Sequence, residues 1–185
     1  MRAASAVREL MSSSSTLNYF ELLGLPESVE LDRSALERAY QSLQSQWHPD
    51  QFAGADATTR ARAVQQTSLI NDAYRTLREP VSRAAHLLAL RGIEPDRLEQ
   101  RELDPAFLFE QMEWREELEA KRGNEAALGQ LGVKVDERFK TTWRVFAEAL
   151  AKEALSEAKR EFHKLQFLGR LQYEINEAEA LLLDD

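Results

Sequence analysis

The chain has 185 residues, 43% of them apolar and 30% charged, with a formal net charge of −8 and no cysteine. That charge argues against nucleic acid or an anionic membrane surface as the main partner, since phosphate binding needs cations. The missing cysteines exclude disulfides, thiolate metal ligands and cysteine nucleophiles, and no apolar run approaches the length of a membrane span.

Length allows one domain or two small ones, and five prolines, seven glycines and few β-branched runs point to an all-α fold. Residues 1–16 carry Arg2, Arg8 and a serine run at Ser12–Ser15, with no apolar core of signal-peptide length. They read as a disordered tail, with Met11 as an alternative natural start. Glu9 and the short length weigh against an organellar transit peptide.

Asp32 and Ser34 both suit a helix N-cap, Ser34 with Glu37 at capping-box spacing. Leu36, Tyr40, Leu43 and Trp47 then recur as one apolar helical face. Pro49 has no N–H and pushes His48 out of helical geometry, so this helix ends near Trp47. A loop runs on to Gly54, with Phe52 the one large apolar residue available to pin it. A second helix starts near Ala57 and stops before Pro80, with Val64, Ile70, Ala73, Tyr74 and Leu77 as its face. Val81 to Arg91 reads as a third helix that buries Leu87, Leu88 and Leu90, with Gly92 at C′.

Residues 93–103, polar and containing Pro95, are the expected linker between a first domain over 17–92 and a second over 104–185. Asp104 followed by Pro105 is a helix start, an N-cap acceptor with proline at N1. Arg122-Gly123 is a stop. A further helix spans Glu125 to Lys152, weakened by Gly129 and Gly132. The last runs from Leu155 to Leu183 with Phe162, Leu165, Leu168, Leu171, Ile175 and Leu182 as its stripe. Three helices with short connections imply an antiparallel bundle.

Two places invite a functional reading. The first is His48-Pro49-Asp50, an imidazole and a carboxylate beside a rigid ring in a helix–helix loop where nothing obliges them to be buried. A metal site there is not expected, since proline fixes their separation and no third ligand is evident. His86 and His163 lack ligand-like neighbours and read as surface or packing residues. The second place is the helix from Pro105 to Arg122. Advancing ~100° per residue puts Phe107, Trp114 and Leu118 on one side, with Gln111 between them, and Leu108, Phe109 and Met112 on another. One bundle face needs one stripe. The second cluster, flanked by Glu113 and Glu116, is either an exposed protein-binding patch with an acidic rim or a second buried stripe between the domains. The residue pattern alone does not choose between them.

His48-Pro49-Asp50 between two helices resembles the J-domain of the DnaJ-type (Hsp40) co-chaperones. Tyr19-Phe20-Glu21-Leu22-Leu23-Gly24-Leu25-Pro26 is similar to the short first helix of that domain. The stretch Phe107-Leu108-Phe109-Glu110-Gln111-Met112-Glu113-Trp114-Arg115-Glu116-Glu117-Leu118 is similar to the second domain of one subfamily, HscB, dedicated to iron–sulfur cluster assembly. The resemblance runs from about Leu17 to the C-terminus.

That resemblance implies a co-chaperone that stimulates the ATPase of a specialised, HscA-like Hsp70 and delivers an IscU-like scaffold protein to it. His48, Pro49 and Asp50, with Arg33 and Arg38, would meet the Hsp70. Leu108, Phe109, Met112, Glu113, Glu116 and Phe167 match the scaffold-binding surface position by position. Three departures stand out. The helix before the loop is near-neutral, Arg33 and Arg38 against Asp32 and Glu37, and Gln51 stands where J-domains commonly have lysine. Docking then leans on Arg33, Arg38, Arg60 and Arg62, or is weak. Ala120 stands where a further acidic rim residue would be.

The chain is thus expected to be a non-enzyme: it has no phosphate-cradling glycine loop, no nucleophile constellation and no cofactor or metal. It is expected to be a monomer in a bacterial-type cytoplasm, with a mitochondrial setting the lesser alternative. The rival readings are a J-domain co-chaperone for a different client of a general Hsp70, an enzyme using His48 and Asp50, and a helical adaptor in which the tripeptide is incidental.

Overall fold

The computed structural model describes residues 16–95 and 105–183, and the described residues form seven α-helices and one 3-10 turn, with no strand among them. The chain divides into two compact units at Gly92/Ile93. Asp104 and residues 96–103 of the expected linker lie outside the described residues, as does most of the expected tail.

The first unit holds α1 (Tyr19–Leu23), α2 (Arg33–Trp47), a 3-10 turn (Pro49–Phe52), α3 (Ala57–Arg78) and α4 (Pro80–Leu90). Each start has a physical cause. The Asn18 side chain accepts from the N–H groups of Phe20 and Glu21, and Asp56 accepts from that of Thr59, so donors without an intrahelical partner are satisfied. At α2 the cap is Asp32, which accepts from Ser34 N at 2.8 Å. The Ser34 capping box is not formed. Its Glu37 is turned instead to the Tyr74 hydroxyl, which donates to it at 2.6 Å. Pro80 occupies the first turn of α4, so that helix begins one residue earlier than expected, after an extended Glu79.

α2 and α3 are antiparallel: Trp47 pairs with Thr67, Tyr40 with Asn71, and Glu37 with Tyr74. Phe20, Leu36, Ile70, Leu77, Leu87 and Leu88 are each at most 1% exposed. Burying a side chain of that size contributes about 1.5–3 kcal/mol. Two expectations about this core change. Val64 is 58% exposed, and the inward face of α3 is Ala63, Gln66, Ile70, Ala73 and Leu77. The face is shifted because Ala63, one residue earlier, lies on the line through Ile70 and Leu77. Leu90 is only partly buried, while Arg83 is buried. Arg83 donates to the carbonyls of Leu77 at 2.6 Å and Val29 at 3.0 Å. A buried cation is tolerated when its donors are used in this way.

The second unit holds α5 (Pro105–Lys121), α6 (Glu125–Ala151) and α7 (Leu155–Leu183). Glu110 of α5 meets Arg138 of α6 and Glu117 meets Lys134, so α5 and α6 are antiparallel. Gly129 lies beside Glu179 and Gly132 beside Ile175, so α6 and α7 are antiparallel too. Leu118, Leu128, Leu131, Val135, Leu168, Leu171 and Ile175 form one core, and Phe146, Phe162 and Leu165 are fully buried with them in the bundle. α6 runs unbroken through both glycines. Among the described residues no helix is long and apolar enough to cross a membrane.

Candidate functional site

The two candidate surfaces lie on different units. In the first, α2 stops where Pro49 requires it, and His48 has φ −57° and ψ 129°. Its Nδ1 accepts from the Asp50 N–H at 3.3 Å and lies 3.6 Å from Asp50 Oδ2. An accepting Nδ1 puts the proton of a neutral imidazole on Nε2. His48, Pro49, Asp50 and Gln51 are all exposed, the Asp50 side chain at 91%.

The loop is held from behind. Trp47 stacks on Phe52 at 5.9 Å, and the Thr67 hydroxyl donates to the Trp47 carbonyl at 2.9 Å. Below it the hairpin is closed by an aromatic and polar ladder that helical periodicity does not reveal. Tyr40 stacks on Tyr74 at 4.2 Å, and their hydroxyls donate to Asn71 and Glu37. Hydrogen bonding to Glu37 raises the Tyr74 pKa. The loop is therefore an exposed, rigidly backed protrusion. Arg33, Arg38, Arg60 and Arg62 are exposed on the helices beside it, Arg38 donating to the Ser34 hydroxyl at 3.1 Å.

The second surface is α5. Phe107 is 6% and Leu118 1% exposed, and Trp114 packs against the core beside them. Leu108 is 41% exposed, and Phe109 and Met112 are each 62% exposed. Glu113 and Glu116 are exposed next to them. So α5 buries one stripe and leaves a second apolar cluster open to solvent, which a monomeric surface helix has no packing reason to carry.

Besides its buried Phe107 and Leu118 and the packed Trp114, α5 is tied to its neighbours by ion pairs. Glu110 accepts from Arg138 Nε at 2.7 Å and Nη2 at 2.9 Å. That guanidinium holds the Glu110 carboxyl below the usual range. Glu117 accepts from Lys121 and Lys134, which lower its pKa in turn. Arg115 pairs with Glu174 of α7. Phe167 of α7 is half-buried, edge-on to Phe107 at 5.7 Å, with the Arg115 guanidinium 5.7 Å from its ring centre. Phe167 is thus part of the support beneath α5. The Glu110–Arg138, Glu117–Lys134 and Arg115–Glu174 pairs join different helices, and sequence reading missed them.

His86 and His163 are not brought to either surface. His86 is buried against Tyr19 and Phe20, and His163 sits edge-on to Phe162. Among the described residues no group of three or more His, Asp or Glu side chains is placed to hold a metal ion. Both surfaces have the chemistry of recognition: one a rigid polar protrusion, the other an apolar patch with an acidic edge.

Comparison with known proteins gives the same division. Residues 18–86 match the DnaJ domain, and residues 103–176 match the HSCB C-terminal oligomerisation domain. Over 170 residues the chain is 44% identical to the co-chaperone protein HscB homolog of Vibrio cholerae, covering 90% of this chain and 99% of that one. The solved chaperone HscB from Vibrio cholerae superposes with a TM-score of 0.80 at 42% identity, covering 89% of this chain and 99% of that one. Human co-chaperone protein HscB superposes with a TM-score of 0.81 at 32% identity, over 89% of this chain and 83% of that one.

Proposed function

The chain belongs to the HscB family of J-domain co-chaperones, and from that premise we propose which partners it joins and with which residues. As a family member it works with an Hsp70-type chaperone rather than as an enzyme. In our reading the Hsp70 is a specialised HscA-like ATPase. The segment 17–92 is the J-domain, and His48, Pro49 and Asp50, with Arg33 and Arg38, contact the ATPase and favour its hydrolysis-competent state. The segment 104–185 binds an IscU-like iron–sulfur scaffold through Leu108, Phe109, Met112, Glu113, Glu116 and Phe167. The cluster itself is cargo, held by the scaffold.

The observation that carries this reading is the open Leu108–Phe109–Met112 face on a helix whose other side is already packed. Apolar side chains at the centre of an interface supply most of its energy, and an acidic edge selects the partner and its orientation. Holding the ATPase and the scaffold on one chain raises the effective concentration of client at the chaperone. One copy suffices for that, so the protein acts as a monomer, in a bacterial cytoplasm.

The test is steady-state ATP hydrolysis by the Hsp70, alone, with this protein, and with this protein plus scaffold. Stimulation by the protein and a further rise with scaffold are expected. Stimulation without any response to scaffold, and no calorimetric scaffold binding, would assign the second unit to a different client. Sedimentation over a range of concentrations checks the monomer.

A further inference from the structure

We infer that the Met112 thioether is a modification site: its oxidation to the sulfoxide by an uncharged peroxide turns the α5 face from binding to non-binding. The inference rests on the reading of that face as the scaffold-binding surface.

Among the described residues Met112 is the one sulfur-bearing side chain. There is no cysteine and there are three methionines, two of them at positions 1 and 11. No thiol competes for the oxidant. Met112 is 62% exposed, one turn from Leu108 and three residues from Phe109, so the oxidisable sulfur lies within the apolar cluster itself.

The reaction is a two-electron oxygen-atom transfer. A sulfur lone pair attacks one peroxide oxygen, an S–O bond forms and the O–O bond breaks. The departing hydroxide takes the proton of the sulfur-bound oxygen and leaves as water, so that the neutral sulfoxide remains. Sulfur is oxidised and peroxide reduced. The reverse step needs a dithiol-dependent reductase for each sulfoxide epimer. Glu113 and Glu116 flank the site and are exposed. Their charge disfavours anionic oxidants and leaves neutral hydrogen peroxide as the suitable class.

The product is a polar, chiral group in the middle of an apolar patch. A partner covering it must bury a strong acceptor without a donor, which is costly. The fold is not at stake, because the packing of α5 rests on Phe107, Trp114 and Leu118. Oxidation therefore acts on binding alone. Bound scaffold should in turn shield the sulfur.

The test treats the full chain with hydrogen peroxide, assigns the sulfoxide by peptide mass, and measures calorimetric binding to the scaffold. Oxidised protein should bind at least about tenfold more weakly, the loss of a single apolar anchor. Its unfolding midpoint should not move, and the two sulfoxide reductases together should restore binding. Met112→Leu, whatever its own affinity, should not respond to peroxide. Saturating scaffold should slow sulfoxide formation at Met112 but not at Met1 or Met11. Unchanged binding by protein carrying Met112 sulfoxide overturns the inference, and so does an equal peroxide response in Met112→Leu. A Leu108→Ala/Phe109→Ala variant separates the two levels. If it too binds normally, the reading of the face fails. If it loses binding while oxidation has no effect, only the switch fails.

Discussion

Tyr19 donates its backbone N–H to Nε2 of His86, 3.1 Å away and 67 positions along the chain. The two rings stack at 4.5 Å. This contact ties the first turn of α1 to α4, and it needs an unprotonated Nε2. Burial lowers the His86 pKa from its ordinary 6.5, with Glu27 opposing weakly. The folded state thus binds fewer protons than the unfolded chain as pH drops below the unfolded value. Stability from this group is fully present above about 6.5 and is lost progressively below it. Unfolding midpoints across this range should fall with acidification. His86→Gln, which keeps an acceptor but does not titrate, should flatten that part of the profile. An unchanged slope would mean that another group governs it.

His48→Gln should reduce stimulation of Hsp70 ATP hydrolysis to background, and Asp50→Asn should do the same while keeping side-chain shape. Both side chains are more than half exposed, so neither change opens a core cavity. Unfolding free energies should stay within about 0.5 kcal/mol of the parent, as for surface substitutions generally. A folded His48→Gln protein that stimulates normally would remove this loop from the mechanism.

Helix termini were legible where local chemistry sets them. Pro49, Pro80 and Pro105 mark helix starts or stops, and α7 runs from Leu155 to Leu183 as its periodicity implies. That α5 carries a second apolar cluster follows from counting around the helix, but that the cluster is open does not. What periodicity cannot supply is how one helix registers against another. Tyr40 and Tyr74 read as apolar positions, yet they form a hydrogen-bonded ladder with Asn71 and Glu37. Val64 and Ala63 differ by one step, and the more hydrophobic of the two is the exposed one. The burial of Arg83 depends on two carbonyls from separate segments, which no local pattern reveals. The clamps on α5 are invisible for the same reason.

Glu153 is in left-handed geometry, φ +54°, at the turn after α6. The Ala154 N–H bonds back to the Ala149 carbonyl and the Glu153 N–H to that of Leu150. This pattern favours glycine at the left-handed position. Glu153→Gly should stabilise the bundle by about 0.5 kcal/mol, relief of strain exceeding the added freedom of the unfolded chain. Chemical denaturation of the two proteins side by side checks it, and a lower midpoint for the glycine variant would contradict it.

The Glu110–Arg138 pair should be worth more than an exposed ion pair. It is bidentate and both side chains are about two-thirds buried. A double-mutant cycle with Glu110→Gln and Arg138→Gln should give a coupling of about 1–2 kcal/mol, discounted for the remaining exposure. The Glu110 pKa is held down by Arg138. Its contribution is therefore present above the ordinary glutamate pKa and lost as pH falls through the folded one. A coupling near zero would leave α5 held by Phe107, Trp114, Leu118 and its other ion pairs.

The two sides of α5 should separate stability from binding. Leu108, Phe109 and Met112 are 41%, 62% and 62% exposed. Truncating all three to alanine should cost well under the ~2–5 kcal/mol typical of one buried large-to-alanine change. Scaffold affinity should fall steeply, because the central apolar side chains are gone. Stimulation of the Hsp70 by the loop should survive, and the extra stimulation with scaffold should vanish. Phe167→Ala should behave differently from the triple variant. Its ring packs edge-on against Phe107 and lies beside Arg115, so its loss should lower both the unfolding midpoint and the scaffold affinity. Thermal unfolding beside calorimetric binding for both variants makes the comparison. If the triple variant melts far below the parent yet binds normally per folded molecule, the cluster stabilises the bundle and the scaffold binds elsewhere.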